Sequence, residues 1–67
     1  MRWFIVIGRL EYDDEDSALT FFSPNAEAAK AAFIQEIRNS IGDTQRKIYV
    51  TFVIQCGQEI PVIVEEV

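Results

Sequence analysis

Five carboxylates crowd into six residues of this chain, at Glu11, Asp13, Asp14, Glu15 and Asp16. Paired carboxylates act as general acid and base only when burial of one drives their pKa values apart. Asp13 to Asp16 form a tract without apolar cover, so the sequence predicts a solvated hairpin tip rather than a catalytic dyad. A calcium loop alternates its oxygen ligands around a glycine turn, and DDED has neither that spacing nor the glycine. Cys56 is the single cysteine, and the chain has no histidine to activate it as a nucleophile or to join it around zinc. Its place in an alternating strand predicts a small inward-facing core residue. Gly8 stands alone within an apolar run, which fits a bulge or a close backbone approach better than a phosphate loop. The chain is therefore expected to be no enzyme, and to carry neither a cofactor nor a metal.

The elements that must position these residues begin with the one segment of helical period. Ala26, Ala29, Phe33, Ile37 and Ile41 recur at steps of three and four, with Ile34 on the flank, as in a helix laid on a core. Ser23 followed by Pro24 predicts the N-cap and first turn, and Gly42 predicts the left-handed end. On either side lie strand-like runs. Arg2 to Leu10 is rich in β-branched and aromatic residues on both faces, with Phe4 and Val6 pointing one way and Trp3, Ile5 and Ile7 the other. Ala18 to Phe22 returns from the acidic turn.

After a loop at Asp43 to Gln45, the stretch Arg46 to Cys56 alternates, with Ile48, Val50, Phe52, Ile54 and Cys56 on one side and Tyr49 and Val53 on the other. A turn near Gly57 leads to a last strand, Ile60 to Val64. An odd loop, Gly57 to Glu59, or a bulge aligns Ile60, Val62 and Val64 with the inward residues of the preceding strand. Pro61 has no amide to offer a ladder and so predicts an edge. The whole chain, residues 1–67, is thus expected to form a single α+β domain of ββαββ topology: a four-stranded antiparallel sheet in the order 2-1-3-4 with one helix on one face. An open order, in which the two hairpins meet differently, also satisfies the pattern.

One helix shelters one face of such a sheet. Trp3, Ile5, Ile7, Tyr49, Val53 and Ile63 then remain on the other, more apolar surface than a soluble monomer ordinarily shows. That predicts a homodimer packed through its sheet faces, or the same surface given to a partner, unless the acidic hairpin folds over part of it. The net charge of −5, from 11 acidic and 6 basic side chains, disfavours direct binding to nucleic acid or to anionic lipid. It favours a protein partner with a basic surface. The acidic candidates for that contact are Glu11, Asp13, Asp14, Glu15, Asp16, Glu59, Glu65 and Glu66; the same charges also serve simply to keep the chain soluble. The aliphatic run Trp3 to Ile7 is too short to span a bilayer and lacks the pattern of a signal peptide, so a reducing cytoplasm is expected.

Small size, the acidic DDED turn, the helix opening SPNAEAAKAAF and two flanking hairpins together resemble the small phage and mobile-element proteins that inhibit bacterial defence systems, the anti-CRISPR type among them. The resemblance implies a non-catalytic inhibitor acting in the host bacterial cytoplasm, bound to an effector such as a CRISPR-Cas complex at a nucleic-acid-binding surface. A small homodimeric structural or regulatory accessory protein is the alternative.

Overall fold

The structure is a computed structural model that describes residues 1–42, 46–57 and 62–66. The expected loop Asp43 to Gln45, the expected loop Gly57 to Glu59 beyond its first residue, and Pro61 lie outside the described residues. Strand β1 (Arg2–Leu10) turns back into β2 (Ser17–Ser23), which runs into helix α1 (Ala26–Ile41); β3 (Ile48–Gln55) and β4 (Val62–Glu66) follow. The helix rests on an antiparallel sheet in which β1 lies between β2 and β3.

The expected ββαββ fold, an even four-stranded sheet beneath a helix, is corrected here. The sheet that α1 covers is three-stranded, in the order β2-β1-β3. Segment β4 is appended to the outer side of β3 over Phe52–Gln55 only, and its register breaks between Val53 and Ile54. In the short pairing that does form, Ile54 lies opposite Ile63 and Gln55 opposite Val62. This is the reverse parity to the alignment of Ile54 with Val62 and Val64 that an odd loop requires, whereas Phe52 opposite Glu66 and Val53 opposite Glu65, beyond the break, keep the expected parity.

Ile7 pairs with Phe52 while its neighbour Gly8 pairs with Val50, so Thr51 is an extra residue in β3. A one-residue bulge reverses which face every later side chain takes. Before it, Ile48 and Val50 face the helix, as the alternation predicts. Beyond it, Val53 turns inward and is wholly buried, while Phe52 and Ile54 turn to the uncovered face. Val53 is therefore not the outward residue that strict alternation predicts, and Phe52 and Ile54 are not inward, because period-2 alternation does not hold across a bulge.

Gly8 lies beside the bulge and accommodates the close packing there. A Cβ there would stand 2.2 Å from the Tyr49 carbonyl oxygen and 3.0 Å from the ring of Phe33. The backbone of β3 and the ring at the middle of α1 thus close on Gly8 from two directions, and only a residue without a side chain admits both. Phe33 and Ala29 from the helix join Phe4, Val6, Val50 and Val53 from the sheet in the buried core, flanked by Leu19, Phe21, Ala26, Ile34, Ile37 and Ile48. The small Ala29 lets the rod approach the strands, and Phe33 then fills the hollow over Gly8.

The helix begins two residues later than expected. Ser23 is still in the ladder, opposite Arg2, and buried, which the restriction of residues before proline to extended backbone favours. Asn25 is the cap, its side-chain oxygen accepting from the Ala28 N–H at 2.8 Å. At the other end Gly42 takes the left-handed conformation, φ 67°, and its N–H donates to the Arg38 carbonyl at 2.9 Å, as the sequence predicts.

Two outcomes test this account. Gly8→Ala lowers unfolding free energy by about 2–3 kcal/mol, because neither the Tyr49 carbonyl nor the buried Phe33 ring yields cheaply; a urea titration showing a loss within about 0.5 kcal/mol, the range of ordinary surface substitutions, contradicts it. Asn25→Ala costs about 1 kcal/mol through the lost cap, and helical ellipticity melts at correspondingly lower denaturant.

Candidate interaction face and acidic hairpin

The sheet face opposite the helix is built by cross-strand pairs that share a side. Trp3 lies opposite Phe22, Ile5 is flanked by Thr20 and Ile54, and Ile7 by Ala18 and Phe52. Arg9 lies opposite Tyr49, and Ile63 continues the row beyond Ile54. Ile5, Ile7, Phe52 and Ile54 are half-buried by their neighbours. Trp3, Phe22, Tyr49 and Ile63 leave 45–53 % of their surface open to solvent. The rings of Trp3 and Phe22 lean on one another with centroids 5.1 Å apart and planes tilted by 49°, a favourable aromatic geometry at the rim.

Of the residues that the sequence proposes for this face, Trp3, Ile5, Ile7, Tyr49 and Ile63 lie on it and Val53 does not. Phe22, Phe52 and Ile54 take part in its place. The first was recoverable, since its parity follows once the β1–β2 pairing is known. The other two depend on the bulge. Cys56 is another correction: it is half-buried rather than a core residue. It joins Met1, Arg2, Trp3, Phe22 and Gly57 around a shallow open hollow of about 430 Å³ at one end of the face. Its N–H donates to the Trp3 carbonyl at 2.8 Å, which prolongs the β1–β3 ladder by one residue.

The acidic hairpin stands at the other end. The Leu10 carbonyl accepts from the Asp13 N–H at 3.1 Å, closing a tight turn through Glu11 and Tyr12, and Tyr12 takes a left-handed φ of 73°. Arg46 holds this turn from outside. Its guanidinium donates to the Glu11 carbonyl through Nε and Nη2, and Nη2 also reaches the Asp13 carboxylate at 3.1 Å. The Tyr49 hydroxyl donates to the Glu11 carboxylate at 3.4 Å, tying it to the rim of the apolar face, and Arg9 stands 4.0 Å from the Asp16 carboxylate.

The tract is therefore not one uniform patch. Glu11, Asp13 and Asp16 have partners within the chain, whereas Asp14 and Glu15 make no ion pair among the described residues. Both are exposed at the tip. The strand β4 carries Glu65 and Glu66 along the far side of β3. Among the described residues, no group of three or more histidine, cysteine or acidic side chains is placed to hold a metal ion. No helix among them is long and apolar enough to cross a membrane.

Arg46→Ala should loosen the hairpin while leaving the core intact. The expected cost is about 1 kcal/mol, mostly from the charged hydrogen bonds to the Glu11 carbonyl, because the exposed ion pair with Asp13 contributes little. Hydrogen exchange at the Asp13 amide should quicken while exchange at Val6 and Val53 is unchanged apart from that global loss. Unaltered exchange at Asp13 would show that Arg46 does not hold the turn.

The chain matches no known family model, and no curated protein sequence or solved structure is significantly similar to it.

Proposed function

We propose that this chain is a non-enzymatic interaction module that docks on a basic protein surface, with the uncovered sheet face supplying apolar contact and the acidic hairpin supplying charge. The observation that carries this reading is the uncovered face itself, which leaves Trp3, Phe22, Tyr49 and Ile63 about half exposed in one contiguous sheet surface. Tyrosine and tryptophan are favoured anchors of protein interfaces, since each combines a large rigid apolar area with a polar tip. A basic partner is argued from charge. The chain carries −5 overall, and Asp14 and Glu15 stand exposed at the hairpin tip, beyond the Glu11 and Asp16 carboxylates at the Tyr49 end of the face.

Basic surfaces with apolar or aromatic patches are what proteins present to nucleic acid, because neutralising phosphates with Lys and Arg drives that binding. An acidic module on such a surface competes with the nucleic acid. The specific form of this reading is an inhibitor of a bacterial defence complex of the CRISPR-Cas type, acting in the host cytoplasm; its support is the resemblance in size, acidic turn and helix opening together with the charge.

The immobilised chain should retain a nucleic-acid-handling protein from a bacterial lysate, and added DNA or RNA should displace that protein. Phe52→Asp should abolish retention through the apolar face. The pair Asp14→Lys and Glu15→Lys should weaken it and flatten its salt dependence, while leaving the Arg46 clamp in place and stability within about 0.5 kcal/mol. Retention that ignores both nucleic acid and these substitutions, or no retention at all, rules the proposal out.

A further inference from the structure

The two edges of the sheet are guarded unequally. On one side β4 is five residues long, breaks register and ends in Glu65 and Glu66, the devices by which natural sheets discourage pairing with another chain. On the other side β2 runs for seven residues in unbroken register with β1, and SALTFFS contains no charge, proline or glycine. Among the described residues, no backbone hydrogen bond besides those of its own ladder reaches it.

The hydrogen-bond pattern shows which of its groups are open. The Cys56 N–H donates to the Trp3 carbonyl and the Glu11 N–H to the Lys47 carbonyl, so the odd-numbered residues of β1 direct their backbone groups at β3. The even-numbered residues, Phe4 and Val6 among them, must then bond to their β2 partners Phe21 and Leu19, since directions alternate along an antiparallel strand. Ala18, Thr20 and Phe22 are left pointing their N–H and C=O groups away from the sheet. All three are exposed.

We infer that a second copy of this chain adds its own β2 at this edge, antiparallel, about a two-fold axis through Thr20. Thr20 is the midpoint of Ser17–Ser23, so this register overlaps the two strands fully. It places Thr20 opposite Thr20 and Ala18 opposite Phe22, and engages every outward-directed backbone group. The match is self-complementary in the sense that a two-fold interface requires: the large Phe22 ring, half exposed beside Trp3, lies against the small Ala18 of the other copy, and Leu19 meets Phe21 on the helix side. Charge selects the same edge. Two chains of −5 repel each other at their acidic ends, but the seam along β2 brings no ionised side chain opposite another. Helix α1 bears on β1, β2 and β3 together, so its footprint is not confined to the edge strand. The product is one continuous sheet in which the two uncovered faces adjoin and double the docking surface. Dimerisation does not depend on the identity of any partner for that face.

Sedimentation equilibrium on the full chain tests this with Thr20→Pro and Thr20→Lys. Proline removes one outward N–H without touching the β1 ladder, and lysine sets like charges opposite each other on the two-fold. Wild type should show twice the monomer mass, and each substitution should weaken self-association roughly 10-fold to 100-fold while far-UV dichroism stays native. Should the proline variant fail to fold, the lysine variant alone decides. A wild type that remains monomeric, leaving the edge for a foreign strand, overturns the inference. So does a dimer that survives Thr20→Lys, or one that dissociates only on Phe52→Lys, which would place the interface on the sheet face.

Discussion

The structure turns on a three-way contact at Gly8. The Tyr49 carbonyl comes so close that a Cβ at this position would stand 2.2 Å away, and the Phe33 ring seals the same spot from the helix side. Beside this contact β3 carries Thr51 as an extra residue, and Gly8 is the residue without a side chain that lets the two strands stay paired there. The consequences run the length of the molecule. Val53 enters the core against Val6, Phe52 and Ile54 leave it, and the pairing of Ile54 with Ile63 sets how β4 joins the edge. One glycine thereby decides which apolar side chains hold the fold together and which remain available outside it.

That division matters because a domain of 67 residues has little core to spare. Among the described residues six apolar side chains are buried, while a comparable number of large ones lie on the uncovered face. No disulfide relieves this, since Cys56 is the only cysteine. A partner docked on that face, as proposed above, would cover it and stabilise the fold at once, which joins the reading of the chain as a docking module to the physics of its size.

The hairpin shows a similar economy. A run of five carboxylates repels itself, and the chain offsets this by directing Arg46 and Arg9 at Asp13 and Asp16 and the Tyr49 hydroxyl at Glu11. The turn is thereby given a defined shape, and the residual negative charge is concentrated at Asp14 and Glu15. A patch that composition alone presents as uniform is divided by structure into residues that hold the turn and residues that face outward.

Much of this was legible in one dimension. The apolar stripe from Ala26 to Ile41 located the helix and its buried face, because helical period is a local property of side-chain spacing. Gly42 marked the helix end for an equally local reason. The alternation of β1 correctly divided Phe4 and Val6 from Trp3, Ile5 and Ile7, and the isolated Gly8 signalled a close approach. What the sequence could not decide were the choices that depend on other strands. Ser23 and Asn25 are both good caps, and the choice fell to the ladder that holds Ser23 opposite Arg2. The face taken by Val53 depends on a bulge beside Gly8, where Phe33 and Tyr49 from two other elements far apart in the chain close on the strand. Period-2 alternation carries no record of where a residue is skipped, so only tertiary contact settled which side of the sheet each later residue of β3 would occupy.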